Sequence, residues 1–598
     1  LCDDYLCPRL GEVDAAHRAA GVAWLLAKPV GTQLWLGPVF QPGQPGCWHC
    51  LTVRLWRHRC AENSAQRELG RSGPAPRPVA AVPPAAAAAA NLIALEAAKW
   101  LAGHRHPGQR AVWTFDTFTF AGRHHEFRPY PQCATCGNPA LVREQAHRPV
   151  ILRSRRTASR GDGHRALAPD LVQARYRHLV SPVTGVIKEI RRDRRGPAQF
   201  NCFRSGTNPA APVPDLDRLR AMLRQENGGK GVTTLHAEVS ALCEAVERYS
   251  GTFHGDEERV RGSMRSLGEV CMHPNDFMLF DRRQYERRAD WNARHGDFQQ
   301  VCDPFDPEAV LDWSPVWSLT EQRHRLLPTG YLYYGVPAEP DRWYVRADSN
   351  GNAAGSSLED AVLQGLLELV ERDSVALWWY NRTRAAGVDL DAFADPWIDE
   401  LRDVYDEVDR RVWVLDLTAD LEIPVMAAVS SRRSGPDEII FGFGAHLDPR
   451  TALRRALAEL NQLMPALLAG RDGQQLDLDD PDAAAWWREA SLANQPYLVP
   501  DPRVRPRRPS DYAYTPNRDL LRDVAVVRER VEASGLPVLV LDQTRPDVGL
   551  PVVKVLAPGL RPFWARFAPG RLFDVPVRLG RRARPARFED LNPYPIFL

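Results

Sequence analysis

A chain of 598 residues, 44% apolar and 25% charged, is ordinary globular material and too long for one hydrophobic core, which stops growing near about 250 to 300 residues. Its 77 basic and 75 acidic side chains leave a formal charge of +2, so no overall field argues for nucleic acid or anionic lipid. No run reaches the ~18 apolar residues of a membrane span, and the opening "LCDDYLCPRL" has neither region of a signal peptide, so a cytoplasmic protein without membrane or nucleic-acid partners is expected.

The sequence starts without methionine and in mid-pattern, which suggests that residues upstream of Leu1 are missing. "GTQLWLGPVF" has the composition of a strand. Cys47 and Cys50 form a C-x-x-C in "GCWHCL", and Cys133 and Cys136 form a second in "PQCATCGNP", with Gly137 allowing a tight turn. Two such pairs supply the four thiolates of a structural zinc site fastening distant segments. His104, His106, His124 and His125 are then surface or supporting groups. Eleven cysteines, an odd number, otherwise scattered, argue against a disulfide framework. Between the pairs, Pro83 and Pro84 start a helix whose body is "AAAAAANLIALEAAKWLA" and which Gly103 stops. "RAVWTFDTFTF" then alternates as a strand should.

Residues 145–170, with "RSRRTASRGDGHR", are basic and poor in aliphatics. This places a solvated linker at 151–170 between a unit at 1–150 and a large unit at 171–598. Helical and strand-like stretches alternate through the rest, so the fold class is α/β (α+β). "VPDPRVRPRRP" reads as a surface loop.

Three helices of the large unit carry polar stripes on otherwise apolar surfaces. In "LHAEVSALCEAVERYSG", Ser240, Glu244, Glu247 and Arg248 share one face, spaced i, i+4, i+7, i+8. "SSLEDAVLQGLLELVERDS" aligns Asp360, Gln364, Glu368 and Glu371, followed by Arg372. "RTALRRALAELNQLM" aligns Arg455, Glu459 and Gln462. Clustered carboxylates repel unless cations lie between them, which points to Mg2+ held by hard oxygen ligands and shared with phosphate. Arg248, Arg372 and Arg455 would meet phosphate oxygens. Neither "ENGGKGVTT" nor "SNGNAAGSS" is a P-loop or dinucleotide fingerprint, and no zincin or nucleophile-elbow motif is present.

"SALCEAVER", "NAAGSSLEDAVLQGLLELVERD" and "ALAELNQ" resemble the three ATP-binding motifs of the YcaO family, and the likeness runs from "VSPVTGVI" to "LAPGLRPFWARFAPGRLFDVPVRLG". The part before it is similar to the zinc-binding, ubiquitin-activating-enzyme-like domain that accompanies YcaO enzymes, here N-terminally incomplete. The resemblance implies an ATP- and Mg2+-dependent cyclodehydratase that converts Cys, Ser or Thr of a leader-bearing ribosomal precursor peptide into azolines. It assigns Ser181, Lys230, Ser240, Glu244, Glu247, Arg248, Asn352, Glu368, Glu371, Arg372, Glu459 and Gln462 to nucleotide binding, with Glu247, Glu368, Glu371 and Glu459 on magnesium. Relatives begin with a leader-gripping winged-helix unit, which has no counterpart here, and end in a proline-rich tail. Pro593 and Pro595 in "LNPYPIFL" match that tail, and with Leu598 they are assigned near the reacting centre. A homodimer and a flavin-dependent azoline dehydrogenase as partner are further implications. Thioamide or amidine formation, or a non-catalytic peptide scaffold, are the alternatives.

Overall fold

The computed structural model describes residues 1–77, 81–158, 164–206, 226–337, 342–471 and 480–597. In the N-terminal part, strands Trp24–Lys28, Gln33–Phe40, Ala111–Asp116 and Ala121–Glu126 form an antiparallel meander in chain order. Helices are inserted before the third strand, among them Trp48–His58 and the alanine-rich Pro83–Leu101, whose two leading prolines occupy positions that need no donor. The strand expected over "RAVWTFDTFTF" ends at Asp116, where the carboxylate accepts the amides of Phe118 and Thr119 at 2.9 and 3.0 Å and turns the chain. Alternation therefore overruns the strand, because an Asx turn imitates the backbone turn and leaves Phe118 and Phe120 exposed.

Among the described residues the large part holds three further sheets, every ladder antiparallel, which is the α+β form of the expected class. A six-stranded sheet runs Arg323–Pro328, Leu311–Ser318, Leu539–Asp542, Val552–Leu556, Asn352–Ala354, with Val260–Gly262 paired to Leu311–Ser318. Two strands from near the C-terminus thus close the middle of a sheet begun more than two hundred residues earlier. A four-stranded sheet orders Ala386–Gly387, Arg410–Asp416, Val425–Arg432 and Ile440–Ala445. Between them lies the helix Leu358–Asn381, buried over nearly all its length. A helix apolar on all but one polar stripe is stable only when enclosed, and this one packs against the strand Val552–Leu556 and the helix Leu520–Ala533.

The stretch expected to be a solvated linker is docked along the large part wherever it is described. Val150 and Leu152 pack on the central core, Arg156 bridges to Asp519, and Arg165 pairs with Asp360 at 2.9 Å. Arg155 and Arg165 meet the carboxylates of Glu359 and Asp360, about two hundred residues away in sequence, which composition alone does not reveal. The N-terminal part is seated by Arg54, whose guanidinium meets Asp547 at 2.8 Å with both side chains buried. Among the described residues no helix is long and apolar enough to cross a membrane.

Candidate functional site

The two cysteine pairs converge inside the N-terminal core. Their sulfurs all lie within 4.8 Å of one another, with 3.7 Å between Cys47 and Cys50, 3.6 Å between Cys47 and Cys133, and 3.4 Å between Cys50 and Cys136. Four thiolates about 2.3 Å from one ion stand about 3.8 Å apart, so the set fits a tetrahedral metal. The amides of Tyr130 and Thr135 point at the sulfurs of Cys50 and Cys133 at 3.4 and 3.3 Å, as thiolate charge requires. Gly137 belongs here because a Cβ would lie 2.1 Å from the Pro131 carbonyl oxygen.

The second constellation rests on three helices. Thr233 caps Thr234–Gly251 by accepting the amide of His236 at 3.2 Å, and Ser357 caps Leu358–Asn381 by accepting that of Asp360, also at 3.2 Å. Both helices bury their aliphatic faces. Ser240, Glu244, Glu247 and Arg248 of the first and Glu368, Glu371 and Arg372 of the second are left only partly covered. The third helix, Pro449–Arg471, lies so close to the strand Ile440–Ala445 that a Cβ on Gly442 would stand 2.2 Å from the Leu460 nitrogen and one on Gly444 2.3 Å from the Ala452 carbonyl oxygen. That approach lets the Phe443 amide donate to Glu459 at 3.2 Å. Gly442→Ala is expected to push the helix outward, costing about 2 kcal/mol or more in urea unfolding and weakening Mg-ATP affinity in the same protein.

The charges alternate. Lys230 pairs with Glu459, Arg248 lies 3.6 Å from Glu247, and Arg372 lies 3.4 Å from Glu368 while its guanidinium stacks 3.7 Å over the Phe563 ring. Burial pushes Glu247 up to about 8, and Glu368 and Glu244 add to it against Arg248. Burial and then Glu459 push Glu371 up to about 7. Glu459 moves the other way: burial opposes its charge, but Lys230 and Arg372 hold it below the usual carboxylate range. Burial raises Glu368 as well, against Arg372 and Arg248, so three of the carboxylates are short of positive charge, as a cation-binding wall should be.

Gln462 lies against Gly228, where a Cβ would collide with its amide nitrogen, so the glycines of "ENGGKG" serve close packing rather than a phosphate loop. Asn352 accepts from Lys554 at 3.1 Å and lies 3.5 Å from the Tyr334 hydroxyl, which in turn accepts from Arg248 at 3.0 Å. Lys554, Tyr334 and Asp348 were not expected from the sequence. Lys554 is fully buried, donates to the carbonyls of Asp348 and Asn350, and burial pulls its ammonium below the ordinary lysine range despite Asp348 and Glu368. One lysine inside the apolar strand "VVKVL" was the available signal.

Ser181 is engaged elsewhere. Its hydroxyl meets His125 at 2.8 Å and accepts the amides of Val183 and Thr184 at 3.2 Å each, joining the N-terminal sheet to the large part. His125 is correspondingly buried, not a surface group. In the tail, Pro595 is buried and Pro593 exposed, while Leu598 lies outside the described residues. Trp379 and Gln299 donate to the carbonyls of Tyr594 and Ile596, both at 2.6 Å, and Phe597 packs 5.8 Å from Phe441. The tail therefore braces the strand whose Phe443 amide holds Glu459.

Residues 228–561, more than half of the chain, match the family described as YcaO cyclodehydratase, ATP and Mg2+-binding. The chain belongs to the YcaO family. Its structure also matches a solved structure described as a heterocyclase in complex with substrate and cofactor, 41% identical, covering all of this chain and 80% of that one with a TM-score of 0.92. The structure of the heterocyclase TruD is 40% identical over all of this chain and 78% of its own, with a TM-score of 0.79. An uncharacterized protein of Methanothermobacter thermautotrophicus is 28% identical over 372 residues, 60% of this chain and 84% of that protein. The protein is thus a YcaO cyclodehydratase carrying an additional N-terminal sheet unit, and the three-helix wall lies within its YcaO part.

Proposed function

We propose that this YcaO cyclodehydratase closes azoline rings on a ribosomally made precursor peptide, using the three-helix wall to hold ATP and Mg2+. The observation that carries the reading is the convergence of Glu244, Glu247, Glu368, Glu371 and Glu459 with Lys230, Arg248 and Arg372 across helices distant in sequence. Among the described residues only the cysteines bring three or more ligand atoms together within 4.8 Å. The carboxylates are more widely spaced, which suits Mg2+ held by one or two carboxylates and completed by phosphate oxygens. Bound there, Mg2+ would neutralise phosphate charge. Glu247, Glu368, Glu371 and Glu459 would share the holding of Mg2+, one or two of them to each ion, Arg248 and Arg372 would orient phosphate oxygens, and Asn352, Gln462, Ser240 and Lys230 would complete the cradle.

A Cys thiol or Ser or Thr hydroxyl of the peptide adds to the preceding carbonyl carbon and gives up its proton. The resulting oxyanion takes the γ-phosphoryl group of ATP, releasing ADP. The C–O bond then breaks, phosphate leaves with the electron pair, and loss of the nitrogen-bound proton forms the C=N bond. Because the nucleophile belongs to the substrate, the protein supplies positioning and charge stabilisation, in keeping with the absence of a nucleophile–base motif in the sequence.

Zinc is the metal proposed for the four cysteines, since an all-thiolate tetrahedral set favours it. Cys136→Ser is expected to release the ion and to destabilise the N-terminal part by roughly 3 kcal/mol or more. Metal analysis beside thermal melting checks this, and an unaltered melt after proven metal loss would contradict it. The family reading extends to a cytoplasmic homodimer that passes azolines to a flavin-dependent dehydrogenase.

The deciding experiment combines protein, ATP, Mg2+ and a leader-bearing precursor and records intact peptide mass beside phosphate release. Loss of one water per ring, dependent on ATP, is expected. Phosphate release with no water loss would replace azoline formation by another ATP-dependent modification.

A further inference from the structure

Beside the carboxylate wall, on the side of Arg165 and Asp360, lie two buried hydrogen-bond donors without acceptors, His446 Nε2 and the Gln364 amide nitrogen, and the half-buried Arg455. His446 is 1% exposed, and its Nδ1 accepts the amide of Asp448 at 2.9 Å. With Nδ1 as acceptor, the neutral ring carries its proton on Nε2, and that N–H has no partner among the described residues. Burial, reinforced by Arg455, His164 and Arg165, holds His446 well below the ordinary histidine range, so the ring is neutral at working pH.

Arg455 donates to the Ala445 carbonyl, the residue before His446, at 3.1 Å and meets no carboxylate at ion-pair distance among the described residues. Burial, with Arg165 adding, pulls it down to about 9, and Glu371 and Asp360 only partly offset this. Gln364, one helical turn beyond Asp360 and one before Glu368, has a buried amide nitrogen that is likewise unpartnered. A buried donor left without an acceptor costs about 1–3 kcal/mol, and two of them beside an arginine that meets no carboxylate among the described residues suit one multidentate acceptor.

Resting on the heterocyclase reading, we propose that Arg455, His446 Nε2 and Gln364, with Arg165 at the rim, form a phosphate site that receives the phosphate leaving as the ring closes. The ligand class is a tetrahedral oxyanion, whose several acceptor oxygens suit three donors coming from different elements. Phosphate leaves carrying the electron pair of the broken C–O bond, and donors already in place stabilise that charge without reorganisation. The neighbouring wall carboxylates, Glu371 among them, would repel phosphate unless a cation intervened, so the donor group would take the leaving end and the metal wall the nucleotide end.

The test titrates inorganic phosphate into full-length protein saturated with Mg-ADP, in the native form and as Arg455→Met and His446→Asn. Asparagine keeps an acceptor for the Asp448 amide and removes the Nε2 donor, and circular dichroism checks that each variant is folded. Phosphate affinity is expected to fall about tenfold or more in both variants, with Mg-ADP affinity unchanged within about twofold. Unchanged phosphate binding in both folded variants overturns the proposal. So does mutual exclusion of phosphate and Mg-ADP, or an equal loss of Mg-ADP affinity, since the donors would then serve the nucleotide itself. Ring formation on the precursor is measured in the same native preparation. If rings form but phosphate does not bind, the proposal falls while the heterocyclase reading stands. If phosphate binds, the variants lose it and no ring forms, the heterocyclase reading falls and the assignment to a leaving phosphate falls with it.

Discussion

Glu371→Gln is expected to abolish ring formation while leaving the protein folded. Glu371 is on the second motif helix, within electrostatic reach of Glu459, Glu368, Arg372 and Lys230, and it is short of compensating positive charge. The amide keeps the shape and one acceptor oxygen but not the charge that a hard cation needs. Loss of one preorganised electrostatic contact to the transferring phosphoryl group costs about 10²–10³-fold in rate, and loss of a metal ligand costs at least as much. Stability should respond in the opposite sense. Removing a carboxylate that Glu459 and Glu368 repel is expected to leave the ligand-free melting temperature unchanged or higher. Single-turnover mass spectrometry beside thermal melting checks both, and full activity would remove Glu371 from the metal wall.

The largest stability effect is expected at Asp547. Its carboxylate accepts from Arg54 at 2.8 Å, from Gln132 at 2.8 Å and from Tyr249 at 2.9 Å, so one buried group ties the N-terminal part to the first motif helix and the C-terminal sheet. Burial works against its charge, but Arg54 and Arg545 outweigh it and hold the carboxyl far below the usual range. Asp547→Asn preserves the shape and leaves the Arg54 guanidinium buried without a counter-charge, a change that typically costs about 3–5 kcal/mol. Because the folded-state value is depressed, the contribution is complete above the unfolded carboxylate value of about 3.9 and is lost as pH falls through and below it. Acid unfolding of the native protein should therefore begin with separation of the N-terminal part, read by limited proteolysis. Asp547→Asn should show that separation already at neutral pH. A loss below about 1 kcal/mol in urea unfolding would show that the junction is held by something else.

Much of the chemistry was legible because it lies within single helices or tight pairs. Glu244, Glu247 and Arg248 share a face because 3.6 residues make a turn, and that spacing survives whatever the helix packs against. Cys47 and Cys50, or Cys133 and Cys136, are likewise positioned by their own turn, and the helix starting at Pro83 follows from proline chemistry at its N-terminus. Patterning misled where a side chain overrode it: Asp116 ended a strand that alternation prolonged, and scattered carboxylates pinned a basic stretch that composition assigned to solvent.

What the sequence determined by itself was the YcaO likeness, the four cysteines, and which acidic side chains lie together on each helix, all properties of a few consecutive turns. Only the tertiary structure decided that Lys230 meets Glu459 across 229 positions, that Arg54 meets Asp547 across 493, and that Lys554 and His446 lie beside the wall. Those pairings depend on which strands close the six-stranded sheet and on two glycines that let a helix approach. Contacts of that kind are paid for by burial of the whole core, so no local pattern records them.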